Sequence, residues 1–227
     1  MLRPRGLAVL GCTVLRPSGL PLLPAAPQMT RVRACLASGN EHKLRELRAL
    51  LPDWEIEPLE ADATPEETGA TFYENAVAKA RHGREVGAPD LWVIGEDSGL
   101  EVDGLGGRPG IHSARYAGPG ASDEENVARL LDELSGAKNE ARRGRYVSEL
   151  VLLSPDLREL RGSGTLEGRI AEEPRGSEGF GYDPVFVPDG EERTVAELGD
   201  DWKREHSHRA RSARALREAV GGSGAEL

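Results

Sequence analysis

The chain has 227 residues, of which 38% are hydrophobic and 30% charged, a balance that excludes a collagen-like or wholly disordered polymer and fits one large globular domain or two small ones. A formal net charge of -10 excludes the basic footprint that non-specific DNA or RNA binding requires, and leaves open a locally positive pocket for a small phosphorylated ligand. The two cysteines, Cys12 and Cys35, form no CxxC pair, so neither a zinc site nor a disulfide framework is indicated, as suits a reducing cytoplasm.

Residues 1–28 read differently from the rest. Arg3 and Arg5 precede an apolar run, which has the outline of a signal peptide. Pro17, Pro21, Pro24 and Pro27 then break it, and nothing approaches the about 20 apolar residues of a membrane span. The segment is read as a disordered extension, with Met29 as an alternative start. One domain is expected over 29–221, followed by a flexible tail at 222–227.

Beyond residue 31 the pattern is regular. Val32, Cys35 and Leu36 suit a buried first strand. Leu44, Leu47, Leu50 and Leu51 recur at helical spacing, with Glu41, Arg45, Glu46 and Arg48 on the other face, Asn40 as N-cap and Pro52 as the stop. Residues 54–59 alternate as a second strand. Thr71 and Glu74 have capping-box spacing for a helix running to about Val86. Residues 91–94 and 100–102 read as two short strands on either side of GEDSG. A second capping box, Ser122 with Glu125, precedes a helix carrying Val127, Leu130, Leu131 and Leu134. Residues 145–153 and 157–164 read as paired strands around a Ser-Pro-Asp turn, with 166–170 extending them. A strand at 185–187 and one closing helix from about 201 to 220 complete the chain. The order predicts an α/β fold, a mixed long central sheet flanked by helices.

Four clusters carry candidate chemistry. Ser38-Gly39-Asn40-Glu41-His42-Lys43 sits where a strand turns into a helix. Free N–H groups and the positive dipole end there attract anions. Gly39 admits close approach, Ser38 and Asn40 add hydrogen bonds, and Lys43 adds charge, while Glu41 and His42 read as ordinary first-turn residues. The stretch is not a Walker A loop, and alone it reads first as a capped turn with a solvated lysine. Gly95-Glu96-Asp97-Ser98-Gly99 puts two acids at the expected end of an apolar strand, where open α/β sheets face their ligands. Carboxylates there suit Mg2+ beside phosphates, and Glu66-Glu67 offers one more. Gly179-Phe180-Gly181-Tyr182-Asp183-Pro184 sets two aromatics among glycines. Phe180 suits stacking on a base and Asp183 suits a ring edge, with a core-capping turn as the plain alternative. Lys203 with Ser207-His208-Arg209 opens a basic stretch. Most of its arginines read as a solvated face, but cations beside a phosphate site have an obvious use.

In this order the clusters resemble the inosine triphosphate pyrophosphatase family, the Ham1-like group of bacterial noncanonical purine NTP pyrophosphatases. The resemblance rests on ASGNEHKLRELRALL, EETGATFYENAVAKAR, GEDSGLEVDGLGGRPGIHSARYAG, GFGYDPVF and SHRARS, which span about residues 31 to 217. It implies two lobes with the site in the cleft between them, a cytoplasmic homodimer with no nucleic-acid or membrane partner, and dependence on Mg2+. The implied reaction is hydrolysis of ITP, dITP and XTP to the monophosphate and pyrophosphate. By resemblance, Ser38, Gly39, Asn40 and Lys43 form the triphosphate-binding turn and Lys79 faces a phosphate. Asp97 is the proton acceptor and a metal ligand, with Glu67 as the second metal ligand. Ser98 contacts substrate, Phe180, Gly181, Tyr182 and Asp183 form the base loop, and Lys203, His208 and Arg209 complete the substrate contacts. Glu96 stands where many bacterial members have Asp, which loosens any metal role for it, and Ser38 replaces Thr with the hydroxyl kept. Two other readings stay open: a pyrophosphatase for modified pyrimidine nucleotides, and a non-catalytic nucleotide-binding module, which would need neither Asp97 nor Glu67.

Overall fold

The computed structural model describes residues 32–59, 65, 67–87 and 90–222. The extension at 1–28 with Met29, Glu66, and residues 223–227 of the expected tail lie outside the described residues. The elements are β1 (Arg33–Leu36), α1 (Glu41–Leu50), β2 (Glu55–Pro58), α2 (Phe72–Val86), β3 (Trp92–Val102), α3 (Asp123–Glu133), β4 (Arg143–Leu153), β5 (Glu159–Ile170), β6 (Phe186–Pro188), α4 (Val195–His206) and α5 (His208–Gly222). They build one six-stranded sheet in the order β2-β1-β3-β4-β5-β6. The first three strands run parallel and the rest pair antiparallel, so the sheet is mixed, with helices around it.

Period-two alternation distributes the core over both faces. Leu36, Leu47, Ile94, Leu150 and Leu216 form the layer beneath α1 and α5. Cys35, Val93 and Val151 point the other way, onto Ala76 and Ala80 of α2. A third cluster around Leu100, Leu130, Tyr146 and Phe186 fills the far half of the long strands. Full burial of each such Leu or Ile contributes roughly 1.5–3 kcal/mol.

Three local expectations are corrected. The strands expected at 91–94 and 100–102 are one 11-residue strand, β3, and GEDSG lies inside it instead of at its end. Its glycines, which read as turn signals, permit close packing: a Cβ on Gly95 would lie 2.0 Å from the Ala76 carbonyl oxygen of α2. The single closing helix is two. Ser207 leaves helical geometry and its Oγ accepts from Ala210 N at 3.1 Å, an N-cap for α5. Thr71 does cap α2, but Glu74 reaches back to Ala70 N at 2.6 Å instead of to Thr71, so only half of that capping box forms. The Ser122–Glu125 box is complete.

One feature of the topology places the site. β1 pairs with β3 only from Ala34↔Trp92 to Leu36↔Ile94. The chain then leaves at Ala37, whose N–H still reaches Ile94 O at 2.8 Å, and turns into α1. β3 continues to Val102 with no strand along this edge, until Pro109 bridges Glu101 and Arg108 O accepts from Val102 N at 3.2 Å. Its backbone groups need other partners. Lys79 Nζ donates to Glu96 O at 3.2 Å, and Ser113 Oγ accepts from Leu100 N at 2.9 Å. This is the crevice at the carboxyl end of a parallel strand, where open sheets take ligands.

Candidate active site

At the start of α1, Asn40 caps its own helix: Oδ1 accepts from His42 N at 2.9 Å and Lys43 N at 3.2 Å. Asn40 N in turn donates to Ser38 Oγ at 3.2 Å. Three of the N–H donors expected to be free at this turn are therefore engaged. What the turn offers an anion is the side chains of Asn40 and Lys43, beside open space: a Cβ on Gly39 would meet nothing within 4 Å.

Alternation along β3 then separates the two acids. Glu96 enters the α1/α5 layer, fully buried. Its Oε2 lies 2.5 Å from Lys43 Nζ, and its Oε1 accepts from Arg209 Nε and Nη2 at 3.2 and 3.0 Å. Burial pushes the Glu96 carboxyl up, but Lys43 and Arg209 outweigh it and hold it far below the usual range. Asp97 faces α2, where it accepts from Lys79 Nζ at 2.8 Å and Asn75 Nδ2 at 3.1 Å. Burial raises the Asp97 carboxyl, and Lys79 pulls it back only in part. Burial also opposes the charge on Lys79, but Asp97 and Glu67 raise its pKa, so the ammonium stays protonated.

Glu67 and Asp97 converge on one cation, the Lys79 ammonium, at 2.6 and 2.8 Å. Two hard carboxylates around a positive charge form a donor set that suits a Mg2+-type ion completed by phosphate and water oxygens. Among the described residues no group of three or more His, Cys, Asp or Glu is placed to hold a metal alone. Glu96, on the opposite face, stands outside this set, and its partners are cations of the protein.

At the other end a cavity of about 100 Å3 runs from Lys43 and Ser98 to Phe180, Lys203, His208 and Arg209. These last three, which the resemblance implies as substrate contacts at the start of a basic stretch, are all buried. Lys203 Nζ donates to Asp183 Oδ2 at 2.8 Å and pairs with Glu46 Oε1 at 2.7 Å. Arg209 pairs with Glu46 and Glu96 and donates to Ser98 Oγ at 2.9 Å. His208 stacks on Tyr146 with centroids 4.6 Å apart, and its Nδ1 has no partner among the described residues. Burial, helped by Arg209, holds its pKa well below the ordinary value, so the imidazole is neutral.

The GFGYDP loop divides in two. Phe180 lines the cavity, with Lys203 Nζ 4.6 Å from its ring centroid and His42 stacked on it at 5.0 Å. Asp183, expected at a ring edge, is already saturated. It accepts from Lys203, from Phe180 N at 2.9 Å and from Tyr146 OH at 3.2 Å, so it pins the loop and aims Lys203. Tyr182 is buried and donates to Ser113 O at 2.8 Å, while Gly181 takes φ 63 and donates to Asp123 Oδ2 at 2.6 Å.

The structure thus gathers Asn40, Lys43, Ser98, Phe180, Lys203, His208 and Arg209 around one cavity, and places Glu67, Lys79 and Asp97 across the open edge of β3. It adds Glu46, read in the sequence as helix surface, along with Arg115 on Glu67 and Tyr146 under His208. Only Glu46 had a usable signal, since it lies one helical turn from Lys43 beside the Leu47–Leu50 stripe.

Residues 34–219 match the Ham1 family model. A relative named dITP/XTP pyrophosphatase from Symbiobacterium thermophilum is 50% identical over 194 residues, covering 83% of this chain and 95% of its own. One of the same name from Escherichia coli is 43% identical over 195 residues, covering 83% and 98%. The solved structure of the Staphylococcus aureus Ham1 protein aligns with TM-score 0.74 and 37% identity, over 84% of this chain and 98% of that one. A HAM1 protein from Coxiella burnetii aligns with TM-score 0.74 and 38% identity, over 85% and 100%. With most of its length matched by the family model, by relatives well above 30% identity and by these folds, this chain belongs to the Ham1 family.

Proposed function

We propose that the protein hydrolyses the noncanonical purine nucleotides ITP, dITP and XTP to the monophosphate and pyrophosphate, and so cleanses the nucleotide pool. The observation that carries this reading is a cavity lined by a flat aromatic and N–H donors, with a lysine paired to two carboxylates across the open edge of β3. The names of the relatives point the same way.

Phe180 supplies a face for a purine ring. The carboxylates of Asp183, Glu46 and Glu96 behind the base end are each occupied by a cation, and that of Asp123, which also lines the cavity, accepts from Gly181 N. Lys203 and Arg209, which line the cavity, present donors to the base. A 6-oxo purine offers an acceptor there, whereas adenine offers an amino donor and leaves buried groups mispaired, which discriminates strongly. Asn40, Lys43 and Lys79 take the triphosphate. Asp97, raised by burial yet ionised beside Lys79, accepts the proton of the water that attacks the α-phosphorus. Glu67 and Asp97 would hold Mg2+, which when bound offsets phosphate charge. Positioning and charge complementarity supply most of the acceleration. The homodimer and the cytoplasmic setting implied by the resemblance belong to the same proposal. Among the described residues, no helix is long and apolar enough to cross a membrane.

The test is purified protein with Mg2+ and a panel of nucleotides, reading pyrophosphate and monophosphate together. Turnover of ITP and XTP, abolished by a chelator and restored by Mg2+, is expected. Turnover of modified pyrimidine nucleotides alone would replace this reading, and retention of nucleotide without turnover would leave a binding module.

A further inference from the structure

We propose that Arg115 is a positioning residue that keeps hold of Glu67 when this carboxylate leaves Lys79, and so sets how tightly the site takes a divalent cation. The inference deepens the pyrophosphatase reading and rests on it.

Lys79 has no donor to spare. An ammonium has three N–H groups. Asp97 Oδ1 takes one at 2.8 Å, Glu96 O one at 3.2 Å and Glu67 Oε1 one at 2.6 Å. For Lys79 to meet a phosphate, or for a cation to enter between the two carboxylates, one acceptor has to let go. Glu96 O is strand backbone, and Asp97 is buried and held a second time by Asn75 Nδ2. Glu67 is only half-buried, on the segment that leads into α2, so it is the group that moves.

Arg115 is the partner that remains. Its Nη1 donates to Glu67 Oε2, the oxygen that Lys79 does not take. One nitrogen makes the contact, without the two-point fork that locks a carboxylate, so Glu67 can pivot on Oε2 while Oε1 swings free. The arginine itself stands on a fixed mount. It ends a short 3-10 helix, Gly110–Arg115, in which Ser113 Oγ accepts from Leu100 N of β3 at 2.9 Å and donates to Gly110 O at 2.6 Å. Asn126 of α3, only 2% exposed, grips the backbone on both sides of it: Nδ2 donates to Ala114 O at 3.3 Å and Oδ1 accepts from Ala117 N at 2.8 Å. Tyr182 OH of the base loop donates to Ser113 O at 2.8 Å. A Glu67 that releases Lys79 has no other ion-pair partner among the described residues, so without Arg115 it must be ordered afresh each time a cation binds. Partners standing behind metal-ligating groups typically change metal affinity by about 10–100-fold.

The test titrates Mn2+, a paramagnetic stand-in for Mg2+, into wild type, Arg115→Ala and Arg115→Lys and reads free Mn2+ by electron paramagnetic resonance. The Mg2+ concentration for half-maximal ITP turnover, kcat at saturating Mg2+ and melting curves are measured beside it. In Arg115→Ala the Mn2+ dissociation constant and the Mg2+ requirement are both expected to rise by roughly 10–100-fold, with kcat at saturating Mg2+ within about threefold. Arg115→Lys keeps a charged N–H donor for Glu67 and should recover most of the affinity. A merely structural role lowers the melting temperature and leaves Mn2+ affinity alone. Mn2+ affinity within about twofold of wild type therefore overturns the proposal. So does a lower kcat at saturating Mg2+ with unchanged affinity, which would make Arg115 a phosphate contact. Because the arginine acts through Glu67, Arg115→Ala should add less than about twofold in a Glu67→Gln background, and full additivity would also overturn it. If Arg115→Ala melts below the assay temperature, Arg115→Gln carries the same test. A wild type inactive on ITP removes the parent reading, and an active wild type with unchanged Mn2+ affinity in the variant removes this one alone.

Discussion

Glu96 and Asp97 are adjacent in the chain and stand on opposite faces of the sheet, Glu96 between Lys43 and Arg209 and Asp97 against Lys79. Consecutive residues of a strand always diverge in this way. The consequence is two separate charge centres at one point of β3, one that sets cations in place and one suited to chemistry. Asp97→Asn keeps the size and the Asn75 contact but removes the base. Turnover of ITP is expected to fall about 10²–10⁴-fold while nucleotide binding by calorimetry changes little. A variant with near-normal rates would place the base elsewhere.

Glu96→Gln acts on the other centre. The fully buried carboxylate balances Lys43 and Arg209, and its loss leaves positive charge uncompensated in the interior. Removing one partner from a buried ion pair costs about 3–5 kcal/mol. The denaturant midpoint should fall accordingly, read by circular dichroism. A change below about 1 kcal/mol, the size of a surface pair, would show that the network is solvated.

The first half of the fold was legible because its signals are local. Asn40, Thr71 and Ser122 announce helix starts, and the leucines of α1 repeat at helical period. The interior position of GEDSG was not legible, because Gly95 and Gly99 carry the same letter whether they turn a chain or admit a helix. The individual site stretches could be read, but not their facing. No spacing in the sequence says that Arg209 reaches Glu46 across 163 positions. The burial of Lys203 and Arg209 was likewise hidden, since their anions, Asp183, Glu46 and Glu96, come from elements distant in the chain.

Acid should weaken the protein through Glu46. Its folded pKa is about 2, against about 4.3 for an unperturbed glutamate. A depressed carboxyl stabilises the fold in its ionised form, fully above the unfolded value, and that contribution drains as pH falls from about 4.3 toward 2. Asp97 and Asp183 are raised by burial and act with the opposite sign, so the comparison must isolate one residue. Melting temperature measured from pH 6 to pH 2 should drop more steeply in wild type than in Glu46→Gln. Parallel curves would mean that Glu46 is not held by its partners in solution.

Gly95→Ala tests the close approach of α2. The added methyl would meet Ala76 O at 2.0 Å and Ala80 N at 2.7 Å, backbone atoms that cannot rotate away. Overpacking of this kind costs typically 1–3 kcal/mol or more. Because α2 also carries Asn75 and Lys79 to Asp97, the shift should reach the chemistry. A lower melting temperature together with a fall in kcat larger than the rise in KM is expected. An unchanged kcat in the surviving folded fraction would show that α2 re-seats without moving Lys79.

His42→Ala probes the opposite edge of the crevice. His42 is exposed, so its loss should leave stability within about 0.5 kcal/mol. Its imidazole stacks on Phe180 at 5.0 Å and an interplanar angle of 25°. Arg45 Nη2 lies 2.8 Å from its Nδ1, and since a guanidinium only donates, Nδ1 is the acceptor and the ring is held in place. The stack ties the start of α1 to the base loop and limits the positions Phe180 can take before substrate arrives. Aromatic pairs contribute about 0.5–1.5 kcal/mol beyond burial, so KM for ITP should rise by about two- to tenfold with kcat nearly constant. His42→Phe restores a flat partner and should restore KM. If the alanine variant binds ITP as wild type does, the stack is incidental and Phe180 is held by Lys203 and the GFGYDP turn alone.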